Sequence, residues 1–93
     1  MTEQSAVRRR VVAHGRVQGV FFRDSVRRRA DSEGVAGWVR NRRDGAVEAV
    51  FEGEPAAVDR LVRFTQEGPR GADVRDVEVS DEPAEGLRGF EVR

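Results

Sequence analysis

An α+β sandwich with elements in the order strand, helix, strand, strand, helix, strand, plus a short extra strand at the C-terminus, is the fold class predicted by three features of the sequence. Apolar residues recur at helical spacing in two separate segments. Strict alternation marks Ala46 to Glu52, and Asp44-Gly45 joins that run to an earlier apolar one in the manner of a β-hairpin. At 93 residues the chain has room for one core, so residues 1–93 are read as one domain with a frayed terminus over 1–6.

The run V-R-R-R-V-V-A-H from Val7 becomes β-branched and apolar toward its end, a strand of about eight residues whose apolar half is central in a sheet. A glycine-containing loop follows. Phe22, Val26 and Ala30 then fall at i, i+4 and i+8 on one stripe of a helix over Phe22 to Glu33, which Gly34 ends. Val35 to Arg43 is the second strand. In the third, Val47, Ala49 and Phe51 share one face and Glu48, Val50 and Glu52 the other. Pro55 suits the first position of a second helix, in which Val58, Leu61, Val62 and Thr65 share a face and after which Gly68-Pro69 closes. Val77 and Val79 mark a fourth strand after a loop over Arg70 to Asp73, and Phe90 and Val92 a short last one.

This order is the split β-α-β arrangement of ferredoxin-like folds. Right-handed crossovers place both helices on one face of an antiparallel sheet of strand order 4-1-3-2. The loop after the first strand and the end of the second therefore emerge at the same sheet edge. With the third strand between them they lie about 10 Å apart. Asn41 faces that gap.

Composition narrows the chemistry. The formal net charge is zero, but residues 1–45 hold 11 arginines against 5 acids and residues 46–93 hold 6 against 12, so an anionic ligand meets the first half. All basic residues are arginine, which suits bidentate oxyanion contacts. The absence of cysteine excludes disulfides, a phosphocysteine and thiolate metal sites. No apolar run approaches a membrane span and the start is polar, so the expectation is a cytoplasmic monomer without membrane contact.

The stretch that folding rules explain least is Gly15, Arg16, Val17, Gln18, Gly19, Val20, Phe21, Phe22 and Arg23, lying between strand and helix. Its glycines leave backbone N–H groups uncovered, and a helix N-terminus with a permanent cation beside it favours negative charge. It reads as an anion cradle. His14 is read as structural, because no Ser, Asp or second His is placed to make a triad or a metal site. The arginine runs 8–10 and 27–29 are read as solvated charge, and Trp38 and the Phe21-Phe22 pair as core or pocket wall.

The motif G-R-V-Q-G-V-F-F-R at Gly15 to Arg23, followed by G-W-V-R-N-R-R-D-G-A-V-E at Gly37 to Glu48, resembles the acylphosphatase family, as do G-P-R-G-A at Gly68 to Ala72 and the terminal F-E-V-R. The resemblance implies a ferredoxin-like sandwich that hydrolyses the carboxyl-phosphate anhydride of small acyl phosphates, with inorganic phosphate as product or inhibitor and no metal or organic cofactor. It further implies that Arg23 binds phosphate, that Asn41 orients the attacking water, and that the N–H groups of about Val17 to Phe22 form the phosphate loop. Arg42 stands where the family often has threonine.

Few groups suffice for such a reaction. A carboxylate leaving group has a conjugate acid of pKa about 4 and needs no general acid. Phosphoryl transfer asks mainly for positioning and for charge stabilisation on three oxygens. Two alternatives belong to other classes, a non-catalytic anion-binding module and a nucleic-acid-binding ferredoxin-like module. Five Phe and one Trp, with no aromatic cluster on alternate sheet positions and no net positive charge, weigh against nucleic acid. The presence of both Arg23 and Asn41 weighs for catalysis.

Overall fold

Six of the seven residues of β3 (Val47–Gly53) are buried, which places this strand at the centre of a sheet covered on both faces. The computed structural model describes residues 5–93; residues 1–4, part of the terminus expected to fray, lie outside the described residues. β1 (Val7–Arg16) and β2 (Ala36–Asn41) flank β3, both antiparallel to it. β4 (Asp73–Glu82) pairs with the outer edge of β1, and β5 (Phe90–Val92) lies parallel to β2, giving the order β4-β1-β3-β2-β5. The predicted 4-1-3-2 order is therefore observed, and the parallel fifth strand makes the sheet mixed. Asp73, expected in the preceding loop, is already strand.

Helices α1 (Phe22–Glu33) and α2 (Pro55–Glu67) have the boundaries that their apolar spacing and the flanking Gly34 and Pro55 predict. Phe22, Val26 and Ala30 of α1 and Ala57, Val58, Leu61 and Val62 of α2 bury one core with Val11, Ala13, Val39, Val47, Ala49 and Phe51 of the sheet. Odd-numbered residues of β1, β2 and β3 face the helices. Alternation along the strand therefore puts Asn41, two residues after buried Val39, on the helix side at the end of β2.

The other face carries no helix, and charged side chains cover it. Glu48 accepts hydrogen bonds from Arg10 and from Arg40 (2.8 Å), while Glu82 accepts from Arg8 (2.8 Å) and Arg10 (2.7 Å). The Trp38 ring lies beneath three guanidiniums, those of Arg93 at 4.9 Å, Arg10 at 5.5 Å and Arg40 at 5.6 Å. Arg8, read from its neighbours as solvated, is only 6% exposed. Its position opposite Glu52 and Glu82 in the two adjoining strands explains the difference, since a cross-strand neighbour on each side removes it from water.

Glu52, 3% exposed, also accepts the backbone N–H groups of Glu85 (2.9 Å), Gly86 (2.7 Å) and Leu87 (2.9 Å). This carboxylate pins the connection that carries the chain from β4 at one sheet edge to β5 at the other. Burial opposes ionisation of Glu52, but those three N–H groups and Arg8 outweigh it and hold the carboxyl below its ordinary value of 4.5. For Glu48 the opposing burial is likewise outweighed by Arg40 and Arg10, and Glu82 is held low chiefly by Arg10 and Arg8.

A carboxyl whose pKa is depressed by folding stabilises the native state above its unfolded pKa, and that contribution is lost as pH falls through the folded value. Stability should therefore be full above about pH 4.5 and fall steadily below it, read as urea midpoints by fluorescence of the single Trp38. Glu52→Ala removes the acceptor of the three strap N–H groups and one of the two cross-strand carboxylates beside buried Arg8, and should cost about 3–5 kcal/mol at pH 7. A Glu52→Ala midpoint equal to wild type would show that the strap is held by other contacts.

Candidate active site

At the end of β1 the backbone changes register against β4 between His14 and Gly15. A Cβ on Gly15 would sit 2.3 Å from the Asp73 carbonyl oxygen, so only glycine lets the two strands approach there. Gly15 and Arg16, expected in the loop, are consequently strand residues paired with Val74 and Asp73. His14 meets Glu78 across the same pair of strands at 2.6 Å. The free loop is shorter than the motif suggests, comprising Val17, Gln18, Gly19, Val20 and Phe21, with Phe22 the first helical residue.

Both ends of this loop are anchored. Val17 is fully buried and Phe22 is 2% exposed, so apolar packing fixes the chain on either side of Gly19, whose φ of 75° makes the turn. Within the loop the Gln18 side chain donates both amide hydrogens to the β2–β3 hairpin, to the carbonyls of Arg42 (2.8 Å) and Ala46 (3.0 Å). That hairpin is itself closed by Arg42 N–H to Ala46 O (2.8 Å), by Gly45 N–H to Arg42 O (3.2 Å) and by Ala46 N–H to the Asp44 carboxylate (3.0 Å). The Ala46 N–H bond is also the main cause of a lowered Asp44 pKa. The Arg42 side chain turns to Asp44 at 2.9 Å. Sequence reasoning assigned Gln18 only a backbone role. A polar side chain between two buried apolar positions, Val17 and the Phe22 that begins the helix, was the available signal.

The first intrahelical bond of α1 is Ser25 N–H to Phe21 O at 3.0 Å, and no side chain caps the helix. Among the described residues, the backbone N–H groups of 18–24 therefore have no acceptor. Five of these residues, Gly19, Phe21, Phe22, Arg23 and Asp24, line a cleft of about 490 Å³ together with Val17, Arg27, Asn41 and Val92, at the positive end of the helix dipole. Arg23 and Asn41, expected from separate motifs, are brought together here with Val17, Gly19, Phe21 and Phe22. Gly15, Arg16, Gln18 and Val20 do not line it. Arg23 donates to the Arg93 backbone oxygen at 3.1 Å, and Arg93 N–H bonds Val39 O at 2.8 Å, so the C-terminal segment holds the guanidinium at the cleft. Asp24, the one acid in the lining, is paired with Arg28 (3.0 Å) and Arg27 (3.4 Å), which leaves the cleft cationic.

The family model for acylphosphatase matches residues 9–92. The chain belongs to the acylphosphatase family. Among its relatives is an acylphosphatase from Rubrobacter xylanophilus, 67% identical over 85 residues that cover 90% of this chain and 77% of the relative. Another, from Haloarcula marismortui, is 56% identical over 86 residues, 92% of this chain and 94% of the relative. The structure of an acylphosphatase from Coxiella burnetii superposes with a TM-score of 0.92 at 38% identity and covers all of both chains. Membership makes the chain an enzyme, an acylphosphatase, on the compact α+β fold of that family.

Gln18→Ala leaves two part-buried carbonyls without their donor and should cost about 1–2 kcal/mol, or roughly 4–16 °C in Tm. Hydrogen exchange should quicken at the amides of 42–46 before the sheet core is affected. Unchanged exchange in the hairpin would mean that Gln18 does not tie loop to hairpin.

Proposed function

We propose that the cleft binds the phosphate of a small acyl phosphate on the amides of 18–24 and the Arg23 guanidinium while Asn41 holds a water in line with phosphorus. The observation that carries this reading is that Arg23 and Asn41, from α1 and β2, line one cleft with Gly19, Phe21 and Phe22, whose backbone N–H groups have no acceptor among the described residues. Such donors are already oriented before substrate arrives, so no reorganisation is needed as charge develops on the phosphoryl oxygens.

The water oxygen forms the new bond to phosphorus as the bond from phosphorus to the acyl oxygen breaks. The electron pair leaves with the carboxylate, and the water proton passes to a phosphoryl oxygen. Asn41 positions the water through its side-chain carbonyl and is not a strong base, so the substrate's own phosphate accepts that proton. The products are a carboxylate and inorganic phosphate, and phosphate competes with substrate for the cradle. A phosphomonoester, whose alkoxide leaving group would need a general acid, lies outside this chemistry. The enzyme acts in this reading as a cytoplasmic monomer that needs no metal, organic cofactor, nucleic acid or membrane. Among the described residues no helix is long and apolar enough to cross a membrane.

Steady-state kinetics on benzoyl phosphate in the presence of chelator test the assignment. Wild type should turn over. Asn41→Ala should lower kcat by about 100-fold or more with KM little changed, because misplacing the nucleophile by an ångström costs that much. Arg23→Ala should raise KM by about 10–100-fold and lower kcat as well. Wild-type turnover by Asn41→Ala would contradict the water-orienting role, and loss of wild-type activity in chelator would contradict the cofactor-free one.

A further inference from the structure

We infer that Phe21 grips the acyl half of the substrate, so that this enzyme favours acyl phosphates bearing a flat aromatic or extended apolar group over acetyl phosphate. The inference rests on the reading of the cleft as the acyl phosphate site. Phe21 is 82% exposed, more than any other large apolar side chain described, although its neighbour Phe22 is buried in the core. It is also the only non-glycine residue with positive φ among the described residues, at φ 57° and ψ 28°. A bulky residue held there costs about 1–2 kcal/mol that glycine would not. Folding gains little in return, because the ring is left in solvent.

The covalent geometry of the substrate gives the ring a use. The Phe21 N–H belongs to the unpartnered series 18–24, and the Phe21 side chain starts two bonds from that nitrogen. A phosphate seated on these amides places its acyl group, joined through one bridging oxygen, within reach of the ring. Val92, 43% exposed, lines the same cleft and adds a second apolar surface. At about 490 Å³ the cleft offers far more room than a phosphate group fills. An aromatic acyl group can stack or pack edge-to-face on Phe21, whereas an acetyl group is too short to cover it.

The test compares kcat/KM for benzoyl phosphate and acetyl phosphate in wild type, Phe21→Gly and Phe21→Ala. Phe21→Gly also relieves the left-handed backbone, and Phe21→Ala retains a Cβ and hence a stiffer loop. The ratio of the two kcat/KM values does not depend on how much of a variant is folded or on how well its loop holds phosphate. It should favour benzoyl phosphate in wild type and fall by about tenfold, equivalent to about 1.4 kcal/mol, in both variants. An unchanged ratio in either variant overturns the role of Phe21 while leaving acyl phosphate hydrolysis intact. Failure of wild type to hydrolyse either compound overturns both readings.

Discussion

The rest of the molecule depends on keeping the backbone amides of residues 18–24 uncovered and still immobile. Ordinary folding pairs such groups with carbonyls or side chains, and here none is supplied among the described residues. A loop without internal hydrogen bonds is free to move unless something else holds it. Val17 and Phe22 do so by burial at its two ends, the close approach of Gly15 to β4 sets where it leaves the sheet, and Gln18 ties its middle to the hairpin after Asn41. The same two Gln18 bonds thus couple the loop to the hairpin that follows Asn41.

The charged face of the sheet serves the site from a distance. Arg8, Glu48 and Glu52 are buried there, which is tolerable only because each is paired. Arg8 meets Glu82 directly across β4, so a slip of one residue would turn Arg8 into the apolar core. Glu52 then pins the strap over 85–87 that delivers β5 to the edge of β2, where Arg93 offers its backbone oxygen to Arg23. A carboxylate on the far face is in this way part of what positions the Arg23 guanidinium at the cleft.

Most of the fold was legible because each element follows a single local rule. The i, i+4, i+8 spacing of Phe22, Val26 and Ala30, Pro55 at a helix start and Asp44-Gly45 at a hairpin all occur as expected. What was not legible depended on partners far apart in sequence. Arg8 looks like surface charge until Glu52 and Glu82 are placed on either side of it. Gly15 looks like loop until β4 is seen to approach it, and a parallel pairing for β5 cannot be read from three residues. In the site, Arg23 and Asn41 were visible through motifs, and their meeting at one cleft followed from topology. The side-chain role of Gln18 and the exposure of Phe21 were hidden, since one depends on the hairpin carbonyls and the other on a positive φ that is rare for phenylalanine.

The central claim is that the free amides, together with Arg23, hold a phosphate group. Titration of the ¹⁵N-labelled protein with inorganic phosphate tests it most directly, followed through backbone amide resonances. Saturable shifts concentrated at residues 18–24, weakened strongly in Arg23→Ala, are the predicted result. Saturating phosphate that leaves those amides unmoved, or that shifts the Arg60–Arg63 surface of α2 instead, would contradict it.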